Sequence, residues 1–348
     1  MSSTFSNETN ITVGRHYLTI CHFSTSPQLH IITLQVMKCY VNPFLSVIGF
    51  CANMMSVAIL RRSGLRKPSN ILLFGLVIAD SMLQLMTMNF SEILEYFGPD
   101  MEYPDLCGWQ YSEGVNYFLL VCLILYFFLS SWGQYVSTTI AMVITLERFL
   151  AVYMPMTFKK VVTTKTATAS VVLSFLIWLP WSAYYLTAMD VYVQHSKVMF
   201  FASGGVNVGN LDAYNIFYFF VSDIFSSWVP ISIVSIGCTL IAFKIKLTLR
   251  DRRKMTSNQD NVKWSMRTTT TLLTTCLVFA LTRIIYSCIN YFVADLPSAT
   301  LYLMMEFMNT SLLIDASSNF FVYIATNKKL FNTFIEILYR KSPRNRFP

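Results

Sequence analysis

The sequence predicts an all-α membrane protein, a bundle of seven transmembrane helices followed by a short amphipathic helix. Of its 348 residues, 54% are apolar and 13% are charged, which leaves too little charge to cover a water-soluble domain of that length. The apolar residues also collect in uninterrupted blocks between short polar connectors, without the amphipathic period of a soluble helix. Blocks of this kind span a lipid bilayer.

Seven blocks are long enough to cross the membrane, since a helix rising about 1.5 Å per residue needs about 20 apolar residues for a hydrocarbon layer about 30 Å thick. In chain order they are Met37 to Leu60, Asn70 to Ile93, Gly114 to Tyr153, Thr166 to Ala188, Tyr214 to Phe243, Thr268 to Val293 and Ser298 to Ala325. The third is longer than the membrane requires, which predicts a tilted helix or one that begins above the headgroups. Residues 1–36 are then an extracellular segment, 37–325 the transmembrane domain and 326–348 a cytoplasmic amphipathic helix and tail.

The orientation follows from charge. The first, third and fifth blocks end at connectors that, with the C-terminal tail, hold 22 of the 26 Lys and Arg residues, and the positive-inside rule places these connectors in the cytoplasm. Two Asn-x-Thr sequons, at Asn7 and Asn10, lie in the segment that would be outside and would be glycosylated there. These features predict a plasma-membrane protein, and they explain the net charge of +8 by topology and the anionic inner leaflet, without nucleic acid as a partner.

Two aspartates lie inside predicted spans. Asp80 is in the second and Asp315 in the seventh, with Asn319 one helical turn after Asp315. Buried carboxylates are costly in a bilayer, and two in one cavity repel, so either a cation lies between them or one is protonated. The alternative is that such polar groups only join helices by hydrogen bonds, which is the interpretation we favour for Asn53.

Motifs recur in a characteristic order along the spans. They are Asn53; Asn70 and Ala79-Asp80; Glu147-Arg148-Phe149; Trp178; Pro230; Asn319-Phe320-Phe321-Val322-Tyr323; and the amphipathic stretch ATNKKLFNTFIEILYRK. This order resembles the rhodopsin-like class of G-protein-coupled receptors, and the stretches around Asp80 and Arg148 are similar to invertebrate FMRFamide-peptide-like and molluscan chemosensory receptors. The resemblance implies a receptor that transduces an extracellular peptide or chemosensory ligand to heterotrimeric G proteins.

The resemblance also implies roles for residues. Arg148, between Glu147 and Phe149, would hold the inner end of the sixth helix closed at rest and meet the G protein on activation, while Tyr323 would swing inward. The family's sodium pocket maps onto Asp80, Ser137, Asp315 and Asn319, and Asn53, Trp178 and Pro230 would be structural. The resemblance implies neither an enzyme nor a cofactor other than a sodium ion.

The sequence departs from the family at two points. The sixth span reads Phe279-Ala280-Leu281-Thr282 where the family has C-W-x-P, so the kink-forming proline and the tryptophan are both absent. The family's extracellular disulfide cannot form, because no cysteine lies between Thr187 and Asn215. One bridge is expected among the outside-facing Cys21, Cys39 and Cys107, with Cys21 to Cys107 as the favoured pair, and the other five cysteines are expected to be buried packing residues.

Candidate ligand residues lie towards the outside. Ser130 stands where amine receptors have aspartate, and Leu313 where visual pigments have lysine, which argues against both classes. The first outer loop is acidic and would attract a basic peptide, although a merely solvated acidic loop is the interpretation that we favour slightly. The candidates for ligand contact are Tyr126, Ser130, Tyr286, Glu95 and Glu113, the tyrosines also being compatible with an interfacial belt.

One other class remains open. A cation-coupled transporter or channel could use Asp80 and Asp315 as an ion path, but it would show half-chain repeats or broken helices, and the sequence contains no such duplication. The four histidines are dispersed and indicate neither a metal site nor a catalytic triad. Nucleotide exchange on a G protein, as against ion flux, distinguishes the two classes.

Overall fold

The computed structural model describes residues 28–85, 113–187, 189–194, 197–202, 219–255, 274–275, 277–289, 298–326 and 328–339. Several predicted features lie outside these residues. They are the sequons at Asn7 and Asn10, the cysteine pair Cys21 and Cys107, and Glu95 of the acidic outer loop.

The described residues are almost entirely helical. In chain order the helices are α1 (Gln28–Val36), α2 (Asn42–Ser63), α3 (Pro68–Leu85), α4 (Glu113–Tyr153), α5 (Pro155–Val161), α6 (Thr164–Thr187), α7 (Val229–Met255), α8 (Leu277–Ile289), α9 (Ser298–Thr326) and α10 (Lys328–Leu338). Two π-helical segments, Met37–Val41 and Phe219–Trp228, precede α2 and α7.

Five described helical stretches are long and apolar enough to cross a membrane: Ile32–Arg62, Pro68–Leu85, Ile124–Tyr153, Thr164–Tyr184 and Ile224–Thr248. Helix α8 is a shorter apolar helix within the sixth predicted span, and α9, with 29 residues, provides the seventh. The predicted seven-helix membrane fold is confirmed. Helix α4, which corresponds to the third predicted span, has 41 residues, close to the predicted length.

The first helix begins earlier than predicted. Helical structure is present from Gln28, whereas the apolar block was expected to begin at Met37. Between α1 and α2 the backbone forms a wider, π-helical turn over Met37–Val41, which ends two residues before Pro43. Proline has no N–H and its ring collides with the carbonyl four residues earlier, so a wider turn accommodates it without ending the helix. The π-helical segment Phe219–Trp228 is explained in the same way by Pro230, which follows it.

A β-hairpin lies in the connector after α6, where the sequence predicted only a cysteine-free loop. Strand β1 (Met189–Gln194) pairs antiparallel with β2 (Lys197–Ala202), with Met189 opposite Ala202 and Gln194 opposite Lys197. Both strands are rich in valine and aromatic residues, which favour a pleated backbone. The hairpin is therefore an addition to the all-α fold.

Helix α4 is the centre of the bundle. Tyr135 stacks on Trp178 of α6 with ring centroids 4.9 Å apart, and the Trp178 indole N–H donates to Thr139 Oγ1 over 2.7 Å. At Gly133 an added Cβ would lie 2.6 Å from the carbonyl oxygen of Ala79 in α3. The backbones of α3 and α4 therefore approach as closely as small residues allow in membrane bundles.

The cysteines inside the spans are not all buried packing residues as expected. Cys51 and Cys288 are exposed on the outside of the bundle, and Cys122 is half-buried. Cys238 is buried against Val234 and Phe279, but it is disulfide-bonded. Because lipid is as apolar as a protein core, a cysteine in a span gains little from facing inward.

Candidate functional site

Asp80 is the first member of a charged cluster between four helices. Its carboxyl group is 1% exposed. Ser137 of α4 donates to Oδ1 over 2.6 Å, and Asn319 Nδ2 of α9 donates to Oδ2 over 3.0 Å. Three of the four residues predicted for the sodium pocket therefore meet, and both carboxylate oxygens have a donor.

Asp315, the fourth, has a partner that the sequence argument missed. Arg283 Nε of α8 donates to Asp315 Oδ2 over 3.2 Å, and both side chains are buried. The guanidinium carbon also lies 5.5 Å from the centre of the Phe279 ring. Since Arg283 is the one charged residue between Thr268 and Val293, the cost of burying a charge could have identified it.

The charged cluster, defined as Asp80, Arg283 and Asp315, is electrostatically one unit. Asp80 lies next to the Arg283–Asp315 pair, because Asn319, which donates to Asp80, is one helical turn after Asp315 on α9. The unit thus holds two carboxylates and one guanidinium. The positive charge of the guanidinium reduces the repulsion between the two carboxylates.

This donor set does not fit a sodium ion between the aspartates. A hard cation needs several oxygen ligands, but part of the acceptor capacity here is already used, since Ser137 and Asn319 donate to Asp80 and Arg283 donates to Asp315. The fixed positive charge of Arg283 would also repel the ion at short range.

A second group of buried polar residues is uncharged. This neutral network consists of Ser46, Asn53, Gln84 and Ser317, and it joins α2, α3 and α9. Asn53 Nδ2 donates to Gln84 Oε1 over 3.2 Å and to the Ala316 carbonyl over 3.3 Å. Gln84 Nε2 donates to Ser317 Oγ over 3.1 Å, and Ser46 Oγ donates to the Gln84 carbonyl. The sequence argument identified Asn53 but not Gln84, whose side chain is fully buried.

The inner end of α4 carries the Glu147-Arg148-Phe149 motif. Glu147 is 4% exposed and accepts a hydrogen bond from Ser69 of α3 over 2.7 Å. In the described part of the chain Arg148 is half-buried and forms no salt bridge, either with Glu147 or with α8. The carboxylate therefore anchors α4 to α3 and leaves the arginine independent of it.

Aromatic residues continue this inner surface. Phe149 stacks on Tyr153 with ring centroids 4.5 Å apart, and the Tyr153 hydroxyl donates to the Leu240 carbonyl of α7 over 2.9 Å. Tyr323 of α9 lines a small, mainly apolar pocket with residues of α2 and α3, among them Leu60 and Val77. Helices α4 and α7 are thus bonded at the end of α4 that carries the Glu147-Arg148-Phe149 motif.

The amphipathic helix α10 packs beneath α9. Phe334 meets Phe320 edge to face with centroids 5.8 Å apart, in a cluster with Ala52 and Ile59 of α2. Glu336 lies 3.7 Å from Arg62 at the end of α2, and both side chains are partly exposed. One apolar face and a polar opposite face suit a helix lying along the inner surface of a membrane.

Of the predicted ligand residues in the described part of the chain, three lie on α4 and one lies on α8. Ser130 of α4 is buried and Tyr126, one turn above it, is half-buried. Tyr286 of α8 packs against the cluster of Leu83, Leu312 and Ala316. Glu113 is the first residue of α4, and its side chain is outside the description.

Buried serines join the N-terminal half of the fifth span to the sixth. Ser227, at the end of the π-helical segment, lies 3.0 Å from Ser287 of α8 between hydroxyl oxygens. The sequence argument did not identify these serines, because a hydroxyl in an apolar block carries little signal. Ser287 is one turn after Arg283, so both lie on one face of α8.

Comparison with known proteins agrees with this architecture. The family model described as serpentine type 7TM GPCR chemoreceptor Srw matches residues 40–341, from the π-helical segment before α2 to beyond α10. A protein of Caenorhabditis elegans described as a probable G-protein coupled receptor is 25% identical over 236 residues, which is 67% of this chain and 51% of that protein. The chain thus spans about half the length of this curated relative.

Proposed function

Since the chain belongs to the serpentine-type seven-transmembrane chemoreceptor family Srw of G-protein-coupled receptors, we propose that it passes an extracellular chemical signal to a heterotrimeric G protein. The observation that carries this proposal is the family match over residues 40–341, which includes every described transmembrane helix after α1. The finer resemblance to rhodopsin-like, FMRFamide-peptide-like and molluscan chemosensory receptors supports the same function.

The proposed setting is the plasma membrane. The chain is a multi-pass membrane protein, and the 22 of 26 basic residues at the inner connectors and tail support an extracellular N-terminus and a cytoplasmic C-terminus. On this orientation, residues 1–36 are extracellular apart from the start of the first helix, with glycans at Asn7 and Asn10, and residues 326–348 are cytoplasmic. The disulfide between Cys21 and Cys107 belongs to the same proposal.

The proposed ligand is a small chemosensory molecule or a short peptide that enters from the outer side. Tyr126 and Ser130 of α4 and Tyr286 of α8 supply a hydroxyl-rich and aromatic surface in the outer half of the bundle. Glu95 and Glu113 would add negative charge at the entrance and favour a basic ligand.

The proposed residues for G-protein coupling and for the activation switch lie at the inner end of α4 and on α9. They are Glu147, Arg148, Phe149, Asn319 and Tyr323. Arg148 supports this role because it is half-buried and, in the described residues, unpaired, while Glu147 is held by Ser69. An arginine that is not neutralised within its own helix is available to a partner.

The test uses the purified full-length chain in lipid nanodiscs with a heterotrimeric G protein. Basal and ligand-library-stimulated exchange of a labelled guanine nucleotide is measured for the wild type, for Arg148→Ala and for Arg62→Ala. We expect Arg148→Ala to reduce exchange at least about tenfold, which corresponds to losing one charge-assisted hydrogen bond of about 1.4 kcal/mol or more. Arg62→Ala removes an equally basic residue from the same side and should change exchange less than about twofold.

Unchanged exchange in Arg148→Ala would remove that residue from the coupling surface. The transporter alternative is tested with the same protein in liposomes under a cation gradient. Electrogenic flux without nucleotide exchange would contradict the receptor function. In the described residues the helices that carry the aspartates, α3 and α9, are continuous, whereas transporters bind ions at broken helices.

A further inference from the structure

Burying Asp80 and Asp315 in one membrane cluster poses a problem of charge. Each side chain is less than a tenth exposed, and each carries a cost in a bilayer that a nearby positive charge must offset. A free ion or a proton could supply that charge. The structure offers a third source, which is a guanidinium group on α8.

The geometry of Arg283 suits this source. Its side chain is 2% exposed, and its Nε is 3.2 Å from Asp315 Oδ2. Asp80 lies beside this pair, because it accepts a hydrogen bond from Asn319, one helical turn after Asp315. Nη2 of Arg283 is buried without a hydrogen-bond partner in the described part of the chain. One donor of the guanidinium is therefore bonded to Asp315, while Nη2 has no acceptor within hydrogen-bond distance among the described residues.

We propose that Arg283 is the tethered cation of the charged cluster. It supplies the positive charge that a free monovalent cation would otherwise provide, and for that reason the folded protein does not bind sodium at Asp80 and Asp315. The proposal concerns binding within the bundle and does not depend on coupling to a G protein.

The same contact makes Arg283 a positioning residue for α8. Helix α8 has Thr282 where a proline kink would weaken its hydrogen-bond ladder, so α8 has no built-in hinge at that turn. Its outward movement would separate Arg283 from Asp315 inside the membrane. The ion pair thus stabilises the packed position of α8 against α9.

The experiment measures the melting temperature of the purified full-length protein in nanodiscs. Sodium chloride and choline chloride are compared at equal ionic strength, from zero to about 150 mM, near physiological ionic strength. A ligand that binds only the folded state raises the melting temperature in a saturable manner. We expect no difference between the two salts for the wild type.

Arg283→Gln should create the sodium response that the wild type lacks. Without the guanidinium, the two carboxylates need a free cation, and sodium should raise the melting temperature by about 2 °C or more relative to choline. Adding Asp80→Asn to Arg283→Gln should abolish that rise. A saturable sodium effect in the wild type overturns the proposal, and so does an Arg283→Gln protein that folds and responds equally to both salts.

A charge exchange keeps the proposal testable if Arg283→Gln does not yield folded protein. Arg283→Asp and Asp315→Arg are each expected to reduce the folded yield at least about tenfold, because each buries two like charges. The double variant restores opposite charges at the same positions and should recover most of the yield. No recovery overturns the pairing. Failure of nucleotide exchange, by contrast, leaves these readouts unaffected, so the two proposals fail separately.

Discussion

The neutral network and the charged cluster perform the same task in different ways. Both are buried polar groups that join transmembrane helices, and α3 and α9 take part in both. The neutral network connects α2 to them through amide and hydroxyl groups such as Gln84 and Ser317. The charged cluster connects α8 to them through the Arg283–Asp315 ion pair.

The difference lies in what happens when one partner is lost. An amide that loses its partner can find another polar group, so hydrogen bonds between membrane helices contribute about 0.6 kcal/mol on average. A charge that loses its partner is left uncompensated at a cost of about 3 to 5 kcal/mol. The hydrogen bonds of the neutral network can therefore be replaced in part, whereas the ion pair between α8 and α9 is either complete or absent.

The largest effect is expected at the charged cluster. Arg283→Ala should destabilise the protein by about 3 to 5 kcal/mol, because it leaves the Asp315 carboxylate buried without its partner. The double variant Arg283→Leu with Asp315→Leu should lose less than Arg283→Ala alone. Chemical denaturation of the purified protein measures both. If the single and double variants are equally destabilised, the cost is not one of uncompensated charge.

A smaller effect is expected from crowding the neutral network. In Gly49→Ala the added Cβ would collide with the side chains of Gln84 and Ser317, which should cost about 1 to 3 kcal/mol by overpacking. Gly114→Ala is the matched control, since an added Cβ there meets nothing within 4 Å. Both variants are compared by thermal melting. Equal melting temperatures would mean that Gln84 and Ser317 can move to accommodate the added Cβ without loss of stability.

Removing one member of the neutral network should cost less again. Gln84→Leu keeps the volume of the side chain but removes its bonds to Asn53 and Ser317, for an expected loss of about 1 kcal/mol. Thermal melting gives the value. A loss as large as that of Arg283→Ala would remove the distinction between tolerant and intolerant contacts.

The smallest effect is expected outside the membrane. The carboxylate of Glu336 and the guanidinium of Arg62 are each partly exposed and lie 3.7 Å apart, and pairs of this kind contribute about 0 to 1 kcal/mol. Glu336→Gln should therefore change the melting temperature by less than the error of the measurement, in low or high salt. A clear salt-dependent loss would show that α10 is held mainly by charge, contrary to its packing through Phe334.

The sequence was sufficient for the membrane fold and for two of the three members of the charged cluster. Apolar blocks predict spans because a helix needs about 20 apolar residues to cross the hydrocarbon layer. The start of the third span was predicted to within one residue. Asp80 was identified by the cost of burying a carboxylate, and it meets Ser137 and Asn319 as the resemblance implied.

The remainder required spatial information. Arg283 was overlooked because the charge argument counted basic residues in connectors and treated the spans as apolar. The pairing of Arg283 with Asp315 joins residues 32 positions apart, and no local pattern records that distance. The β-hairpin and the early start at Gln28 also depend on weak local preferences, which neighbouring structure decides.

The π-helical segment before Pro230 has a consequence for every comparison made by counting residues. A wide turn carries an additional residue, so side chains on its outer side are rotated relative to those of a regular α-helix. Ser226 and Ser227 are both buried as a result of the local winding. An alignment that counts residues of this helix backwards from Pro230 therefore needs a gap at the wide turn. Without the gap, it would assign ligand-facing positions to residues that face the lipid.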